Sequence, residues 1–455
     1  MKTLIVNSQW INGDLRIDSK YHLSDGRLTK LKIKKSPFQV EILANVSLSI
    51  YNGPRFKRYY VNDAQQGIPF MGSSDMLKTN FFDLKYISKK LSKNLDELYV
   101  KKDWILVSCS GTIGNTVYTN SDFEGKTASQ HIMRIIPDPN KIKSGFLYAY
   151  LSSKYGYSLL TQGTYGAVIQ HIEPRHINEL PVPIFPDPVQ EEVSKLITDA
   201  ASLRVKANKL LEECLSTIDT SFVFEKPQKI YTVNIKEIKS GDKFTNESRF
   251  ESDYYQPSTN KVIEQIKGTT YVLLGDLCHS VSISNLRGRV FVKNGFTLFT
   301  GQSLGLLKPD MSKQLSKKLT KNIAENTTLD GDILVSAFGT LGKTEFCYRN
   351  FHTGVFASQQ LVRIRTDREK VHPGYLYLFL KSKAGQLLIQ KYKTGSVIEW
   401  ANWNNFSSIP VTIPVDKGAA LGACAEKIAV TSQLAYEKEQ QAIKLIENEI
   451  ESWQD

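Results

Sequence analysis

Arg55, Lys57 and Arg58 crowd into one short stretch, Gly53-Pro-Arg-Phe-Lys-Arg-Tyr-Tyr60, with aromatic rings between them. Guanidinium groups pair bidentately with guanine O6 and N7, ammonium groups neutralise phosphates, and aromatic faces stack on bases. Arg287 and Arg289 form a looser version of the same stretch. A second cluster reads Gln162-Gly-Thr-Tyr165, then Gln170-His171. Its later echo reads Lys391-Tyr-Lys-Thr394, then Ser396 and Glu399-Trp400. Gln162, Thr164, Tyr165, Gln170 and His171, and Lys391, Lys393, Thr394, Ser396 and Trp400, carry the donors, acceptors and rings that base edges require. A solvated turn and a variable surface loop would use the same residue types, and Trp400 and Trp403 could equally serve a core.

Covalent chemistry has no comparable residues. There is no Asn-Pro-Pro-aromatic motif, Walker A, H-E-x-x-H or G-x-G-x-x-G in the chain. The seven histidines (22, 131, 171, 176, 279, 352, 372) are dispersed, and His171 and His176 are the one close pair. The five cysteines (109, 214, 278, 347, 424) are odd in number and contain no C-x-x-C. That pattern disfavours a disulfide framework or a zinc site and favours a reducing compartment. A formal charge of +12 and a pI near 9.2 point to a polyanionic partner. The N-terminal MKTLIVNSQWINGDLR is broken by Asn and Gln, so no signal peptide is expected, and no apolar run suits a membrane helix. The expectation is a cytoplasmic protein with no metal and no cofactor.

The elements that must position the candidate residues occur twice. Ile105-Leu-Val-Ser108 and Gly111-Thr-Ile-Gly114 return as Ile333-Leu-Val-Ser336 and Gly339-Thr-Leu-Gly342, at an offset of 228. Ala128-Ser-Gln130 and Arg134 return as Ala357-Ser-Gln359 and Arg363, at an offset of 229. Over Gly145–Gly166 that offset gives 9 identities in 22 pairs. Arg249-Phe-Glu-Ser-Asp-Tyr254 echoes Arg16-Ile-Asp-Ser-Lys-Tyr21. The expectation is a tandem duplication of about 230 residues, each copy a mixed α/β domain.

Between the copies, Val189, Val193, Leu196, Ala200, Leu203, Ala207, Leu210, Cys214 and Ile218 recur at steps of three or four. This spacing predicts one long amphipathic helix over 186–221, opened by Asp187 and Pro188 and roughly 50 Å long. A second run, Leu421, Cys424, Ile428, Ala435, Ala442, Leu445 and Ile450, predicts another near the C-terminus, with Thr431 and Lys438 interrupting its seam. KLLEECL at 209–215 and KLIENEI at 444–450 share a local phrase. Two narrow stripes suit a two-helix coiled coil.

With R-x-[DE]-S-x-Y, ILVS-x-x-GT-x-G, ASQ-x-x-x-R and G-[FY]-LY-x-x-L-x-SK-x-G each present twice, the chain resembles the specificity (S) subunit of Type I restriction–modification systems. The resemblance implies an α+β architecture with two target-recognition domains, at 1–186 and 227–414, each followed by a long helix, at 187–226 and 415–455. The helices would form an antiparallel coiled-coil spacer. It further implies a non-catalytic subunit that reads a bipartite double-stranded DNA target. Two methyltransferase subunits would dock on it, with restriction subunits joining that core. The subunit itself would bind neither S-adenosylmethionine nor ATP. The rival readings are a duplicated DNA-binding adaptor of another defence or methylation complex, and a stand-alone DNA-modifying enzyme.

Two copies that share a scaffold but read different half-sites allow an internal comparison. Matched positions are candidates for scaffold or phosphate contact: Thr112 with Thr340, and Gln130 with Gln359, together with Lys343 beside the second turn. In the matched ILVS segments the first reading is structural, a buried strand closed by a glycine turn at positive φ, with phosphate contact by the Ser and Thr hydroxyls second. Mismatched positions in matched frames are candidates for base reading. Cys109-Ser110 against Ala337-Phe338 is such a pair.

Overall fold

The computed structural model describes residues 24–162, 171–240, 250–285, 288–395, 398–414 and 416–453. The protein is mixed α/β and divides into two compact units, Met1–Val205 with Leu434–Asp455, and Lys206–Gln433. The Arg16–Tyr21 segment and Arg249 lie outside the described residues.

The first unit contains β1 (Val40–Ile42), β2 (Ser47–Asn52), β3 (Tyr60–Val61), β4 (Gly67–Met71), β5 (Lys85–Ser88), β6 (Ile105–Ser108), β7 (Thr116–Tyr118), β8 (Thr127–Ala128), β9 (Ile132–Pro137) and β10 (Pro181–Pro183). One antiparallel sheet runs β2-β9-β6-β7. A second runs β3-β5-β4-β8, with β4 and β8 parallel. β1 pairs with β10. The unbroken apolar run Ile105-Leu-Val107 is what a strand covered on both faces needs, and all three side chains are fully buried.

The turn after β6 follows from its residues. Gly111 and Gly114 sit at φ of 79° and 81°, as the glycine spacing predicts. Ser108 is buried; its hydroxyl donates to Thr112 O at 2.7 Å and accepts from Asn115 N at 3.0 Å. Its hydrogen-bonding capacity is spent on the turn, so the structural reading of this segment holds and a phosphate role for Ser108 does not.

Helices Ser144–Ser152 and Lys154–Gln162 meet at Ser153, whose hydroxyl donates to Tyr150 O at 2.6 Å and accepts from Gly156 N at 3.2 Å. A Cβ on Gly156 would stand 2.2 Å from Tyr150 O, which fixes glycine at this corner. The repeated Ser-Lys-x-Gly phrase is therefore a corner between two helices.

The second unit contains β11 (Tyr271–Leu273), β12 (Cys278–Ile283), β13 (Phe291–Phe299), β14 (Gln314–Leu315), β15 (Asp332–Ser336), β16 (Thr344–Phe346), β17 (Phe356–Ala357), β18 (Leu361–Thr366), β19 (Lys393–Thr394), β20 (Trp400–Ala401) and β21 (Pro410–Thr412). Its main sheet runs β12-β18-β15-β16 and its second β14-β13-β17, with β13 and β17 parallel. β11 pairs with β21 and β19 with β20. Ser336 donates to Thr340 O and accepts from Lys343 N at 2.9 Å. Ser382 repeats the helix corner, donating to Phe379 O at 2.7 Å and accepting from Gly385 N at 3.2 Å.

The two long helices are Asp187–Asp219 and Gly418–Ser452. In the first unit Val193, Ile197 and Ala201 share a core with Ala442, Ile446 and Ile450. In the second, Ala207, Leu211, Cys214 and Ile218 share one with Leu421, Ala425 and Ile428. Ile197 and Leu211 lie on the buried seam, whereas Leu196, Leu203 and Leu210 flank it half-buried. The polar residues in the second stripe are accommodated. Thr431 donates back to Lys427 O at 2.7 Å on its own helix, and Lys438 reaches Asp199 at 3.2 Å. Within the first unit Glu439, only 1% exposed, accepts from Tyr148 Oη at 2.5 Å and pairs with Arg204. Burial pulls the Arg204 pKa down, but Glu439 outweighs it and raises it above the ordinary value. No helix among the described residues is long and apolar enough to cross a membrane.

Candidate nucleic-acid interface

Three backbone segments lie side by side at the end of the main sheet in the first unit. Cys109 N donates to His131 O at 3.0 Å, Ile172 N donates to Cys109 O at 3.0 Å, and Ser110 forms a β-bridge with His171. This ladder brings Gln130, Ser110 and His171 together although the sequence separates them. Arg58 joins them across the second sheet, donating Nη2 to Gln130 Oε1 at 2.9 Å, with its guanidinium 5.2 Å from the Phe70 ring centre. Gln130 Nε2 lies 3.1 Å from His131 Nε2. Burial lowers the His131 pKa, and Arg58, His171 and Arg55 lower it further. Arg55 and Lys57 are exposed beside this group, the Lys57 ammonium 5.1 Å from the Tyr59 ring.

The second unit builds the same frame from different residues. Ala337 N donates to Gln360 O at 2.9 Å, Ala401 N donates to Ala337 O at 3.0 Å, and Phe338 bridges Trp400. Arg289 donates Nη2 to Gln359 Oε1 at 2.6 Å. Phe338 and Trp400 stack with an interplanar angle of 12° and centroids 6.2 Å apart, and both are more than a third exposed. Each unit thus presents an Arg–Gln clamp beside a bridged pair: Ser110 with His171, and Phe338 with Trp400. An arginine held by a glutamine amide keeps further N–H donors, and the bridged pair offers polar groups in one unit and apolar rings in the other. That chemistry suits hydrogen bonding to base edges in the first case and methyl contact or stacking in the second.

Other candidates stand elsewhere. Thr112 and Thr340 are exposed on the glycine turns, and Lys343 is half-buried beside the second. Gln162 ends a helix rather than lying in a loop, its amide enclosed and without a partner among the described residues. Lys391 ends the matching helix, 9% exposed, donating to Tyr254 O and to Asn260 Oδ1 at 3.2 Å, with its ammonium 3.8 Å from the Tyr254 ring centre. Lys393 pairs with Asp253 at 3.0 Å and Glu399 at 3.2 Å, and Thr394 donates to Glu251 at 2.9 Å. The reading of 391–394 as a free base-reading loop is therefore corrected, because these side chains are committed to their own unit. Thr164, Tyr165, Gln170, Arg287 and Ser396 lie outside the described residues. Of the mismatched pairs, Cys109 and Ala337 are buried, leaving Ser110 and Phe338 at the surface.

Two further residues acquire roles from the structure. His131 joins the clamp group; its mismatch with Gln360 in a matched frame was a usable signal. Arg134 is fully buried and donates to Ser129 O at 2.9 Å, Ile132 O at 2.6 Å, Leu98 O at 3.0 Å and Ala128 O. Burial brings its pKa down to about 10. Arg134 thus ties the two sheets of the first unit through backbone carbonyls. His176 accepts from Glu173 N at 3.0 Å on Nδ1, as part of a helix cap. Among the described residues no cluster of three or more His, Cys, Asp or Glu could hold a metal.

The family described as Type I restriction modification DNA specificity domain matches residues 43–213. No curated protein matches the chain. Among solved structures, the chain is similar to the S subunit of a Type I restriction–modification system from M. genitalium, at 13% identity and a TM-score of 0.32, covering 90% of this chain and 94% of that one. It is also similar to the HsdS subunit from Thermoanaerobacter tengcongensis, at 13% identity and a TM-score of 0.29, covering 91% and 96%. A third similar structure addresses complex assembly and conformational transition of the type I system, at 12% identity and a TM-score of 0.29, covering 92% and 98%.

Proposed function

We propose, from the premise that the chain belongs over residues 43–213 to the Type I restriction modification DNA specificity domain family, that it reads a bipartite DNA target with one recognition site in each unit. DNA recognition in a Type I restriction–modification system is its function. The observation that carries the two-site reading is the Arg–Gln clamp built twice on one backbone ladder, flanked by Ser110 and His171 in one unit and by Phe338 and Trp400 in the other. Shared frames with unlike readers are what two different half-sites require. The repeated strand orders support a tandem duplication.

The long helices act as an antiparallel spacer. Support comes from contacts between the two helices inside each unit: Asp199 with Lys438 and Arg204 with Glu439 in the first, Cys214 with Cys424 in the second. The outer helix faces dock methyltransferase subunits, restriction subunits join that core, and the complex works in the cytoplasm. The chain carries no catalysis of its own.

Purified chain is incubated with DNA and S-adenosylmethionine, with and without a methyltransferase subunit. Sequence-specific methylation is expected only with the partner; methylation by the chain alone would overturn the reading. Sequencing the methylated sites defines both half-sites. Lengthening the two helices by matched turns should widen the gap between half-sites and leave their bases unchanged.

A further inference from the structure

A heptapeptide occurs once in each unit: Ser88-Lys-Lys-Leu-Ser-Lys-Asn94 and Ser316-Lys-Lys-Leu-Thr-Lys-Asn322. Part of this likeness is explained by folding. Ser88 Oγ accepts from Leu91 N at 3.2 Å, and Ser92 N donates to Ser88 O at 3.1 Å. Ser316 Oγ accepts from Leu319 N at 3.3 Å, and Thr320 N donates to Ser316 O at 3.0 Å. Asn94 and Asn322 sit at φ of 54° and 55°, a region asparagine tolerates better than most residues. Ser and Asn thus build the turn.

The lysines are not explained that way. Lys89, Lys90, Lys93, Lys317, Lys318 and Lys321 are all exposed, and among the described residues none forms an ion pair. Lys89 alone shows a bond, to Gln65 O at 3.1 Å at the surface. Recent copying does not explain them either. The offset between units is 231 at the clamp arginines and 228 at this turn, so the intervening segment has changed length while the lysines stayed.

The position of the turn indicates what the lysines do. Ser88 N donates to Tyr59 O at 2.7 Å, and Ser316 N donates to Val290 O at 2.9 Å. Tyr59 follows Arg58 and Val290 follows Arg289. In both units the lysine turn is rooted on the residue next to the clamp arginine. It stands beside the reading site and carries three positive charges that are the same in both units, whereas the readers differ. Lysine is a flexible point charge and a phosphate binder with little geometric demand.

We infer that these two turns are matched phosphate clamps, gripping the DNA backbone beside each half-site and contributing affinity without sequence preference. This rests on the DNA-recognition reading above and assigns it a backbone contact. The test measures binding of the full chain, with its methyltransferase partner, to a duplex selected from a randomised pool and to a mixed-sequence duplex, across a salt series. The K89A/K90A/K93A/K317A/K318A/K321A variant should lose affinity for both duplexes by a similar factor. Its slope of log K against log salt should flatten by about 0.9 for each phosphate that is no longer neutralised. The corresponding six-fold Lys→Arg variant should keep the wild-type slope, and R58A should instead change the ratio between the two duplexes. An unchanged slope in the alanine variant overturns the inference, as does a weakening confined to the selected duplex. Leu91 and Leu319, 54% and 60% exposed at the turn tips, supply the protein-docking control. If L91A/L319A and the alanine variant impair methyltransferase assembly and leave DNA affinity intact, the turns dock protein and the inference is overturned. A wild-type complex that selects no duplex from the pool would instead sink the recognition reading itself.

Discussion

Arg134 and Arg363 occupy the same place in the two units, yet their surroundings differ. Arg134 is fully buried and donates to four backbone carbonyls. Arg363 reaches Ser282 Oγ at 3.4 Å, and its Nε and Nη1 find no partner among the described residues. A neighbouring pair carries the charge compensation in the second unit, where Arg365 forks onto Asp332 with two contacts of 2.9 Å. Burial lowers the Arg363 pKa and nearby Asp332 offsets part of that. The same divergence marks the surface proposed to read DNA: a shared frame, then a polar Ser110–His171 pair in one unit and an aromatic Phe338–Trp400 pair in the other. The frame is held by backbone hydrogen bonds that do not involve the side chains of Ser110 or Phe338, so the surface can change without the fold changing.

The largest effect should come from breaking the arginine comparison. R134M removes the donors from four enclosed carbonyls and should destabilise the first unit by several kcal/mol, since each buried acceptor left without its partner costs about 1–3 kcal/mol. R363M should cost clearly less, because fewer partners are left without a bond. Denaturant unfolding of the two variants checks the order, and equal destabilisation would mean the two arginines do equivalent structural work. In the first unit E439Q probes a similar buried charge, weakening the Arg204 and Tyr148 contacts. It should destabilise that unit by about 2–4 kcal/mol.

The reading surfaces come next. S110F/H171W places the second unit's pair on the first unit's frame. Methylome sequencing should then show a changed base preference in the first half-site and none in the second. A change in discrimination of about 1–3 kcal/mol, roughly five- to 160-fold, is expected at the affected position. If both half-sites change, the units do not read independently. R58A and R289A, which open the two clamps, should each relax one half-site by a similar amount.

The frame was legible in the sequence because it is made of local rules. A continuous apolar strand, paired glycines, and a serine–glycine corner each leave a fixed residue pattern, and each pattern occurs twice. The long helices were legible from period alone, with a seam that also takes in Ile197 and Leu211. The reading surface was only half legible. Ser110, His171 and Gln130 stood out as polar residues in matched frames, but nothing local says that Arg58 Nη2 ends 2.9 Å from Gln130. Lys391 and Lys393 misled for a related reason. A lysine in a variable segment has the same letter whether it faces solvent or, like Lys391, packs on Tyr254 and reaches Asn260. K391M should therefore lower the stability of the second unit and leave the half-site unchanged.

The smallest effect tests the electrostatics of the first surface. His131 stands where the second unit has Gln360, and its pKa lies below the ordinary 6.5 because of burial first, then Arg58, His171 and Arg55. The folded unit thus holds His131 neutral, while the unfolded chain takes up the proton more readily. The sign follows from that difference. Stability from this histidine is fully present above about pH 6.5 and is lost as pH falls through that value towards the lower folded one. H131Q installs the residue of the other unit and removes the titration. Its unfolding free energy should fall less than that of wild type between about pH 7.5 and about pH 5, with the buried His352 still contributing an acid destabilisation of the same sign in the second unit. R58A should act in the same direction through His131, since one of the charges opposing protonation is gone. An H131Q variant with an unaltered pH profile would mean that the cationic group around the clamp does not act on His131, and that the two surfaces differ in shape alone.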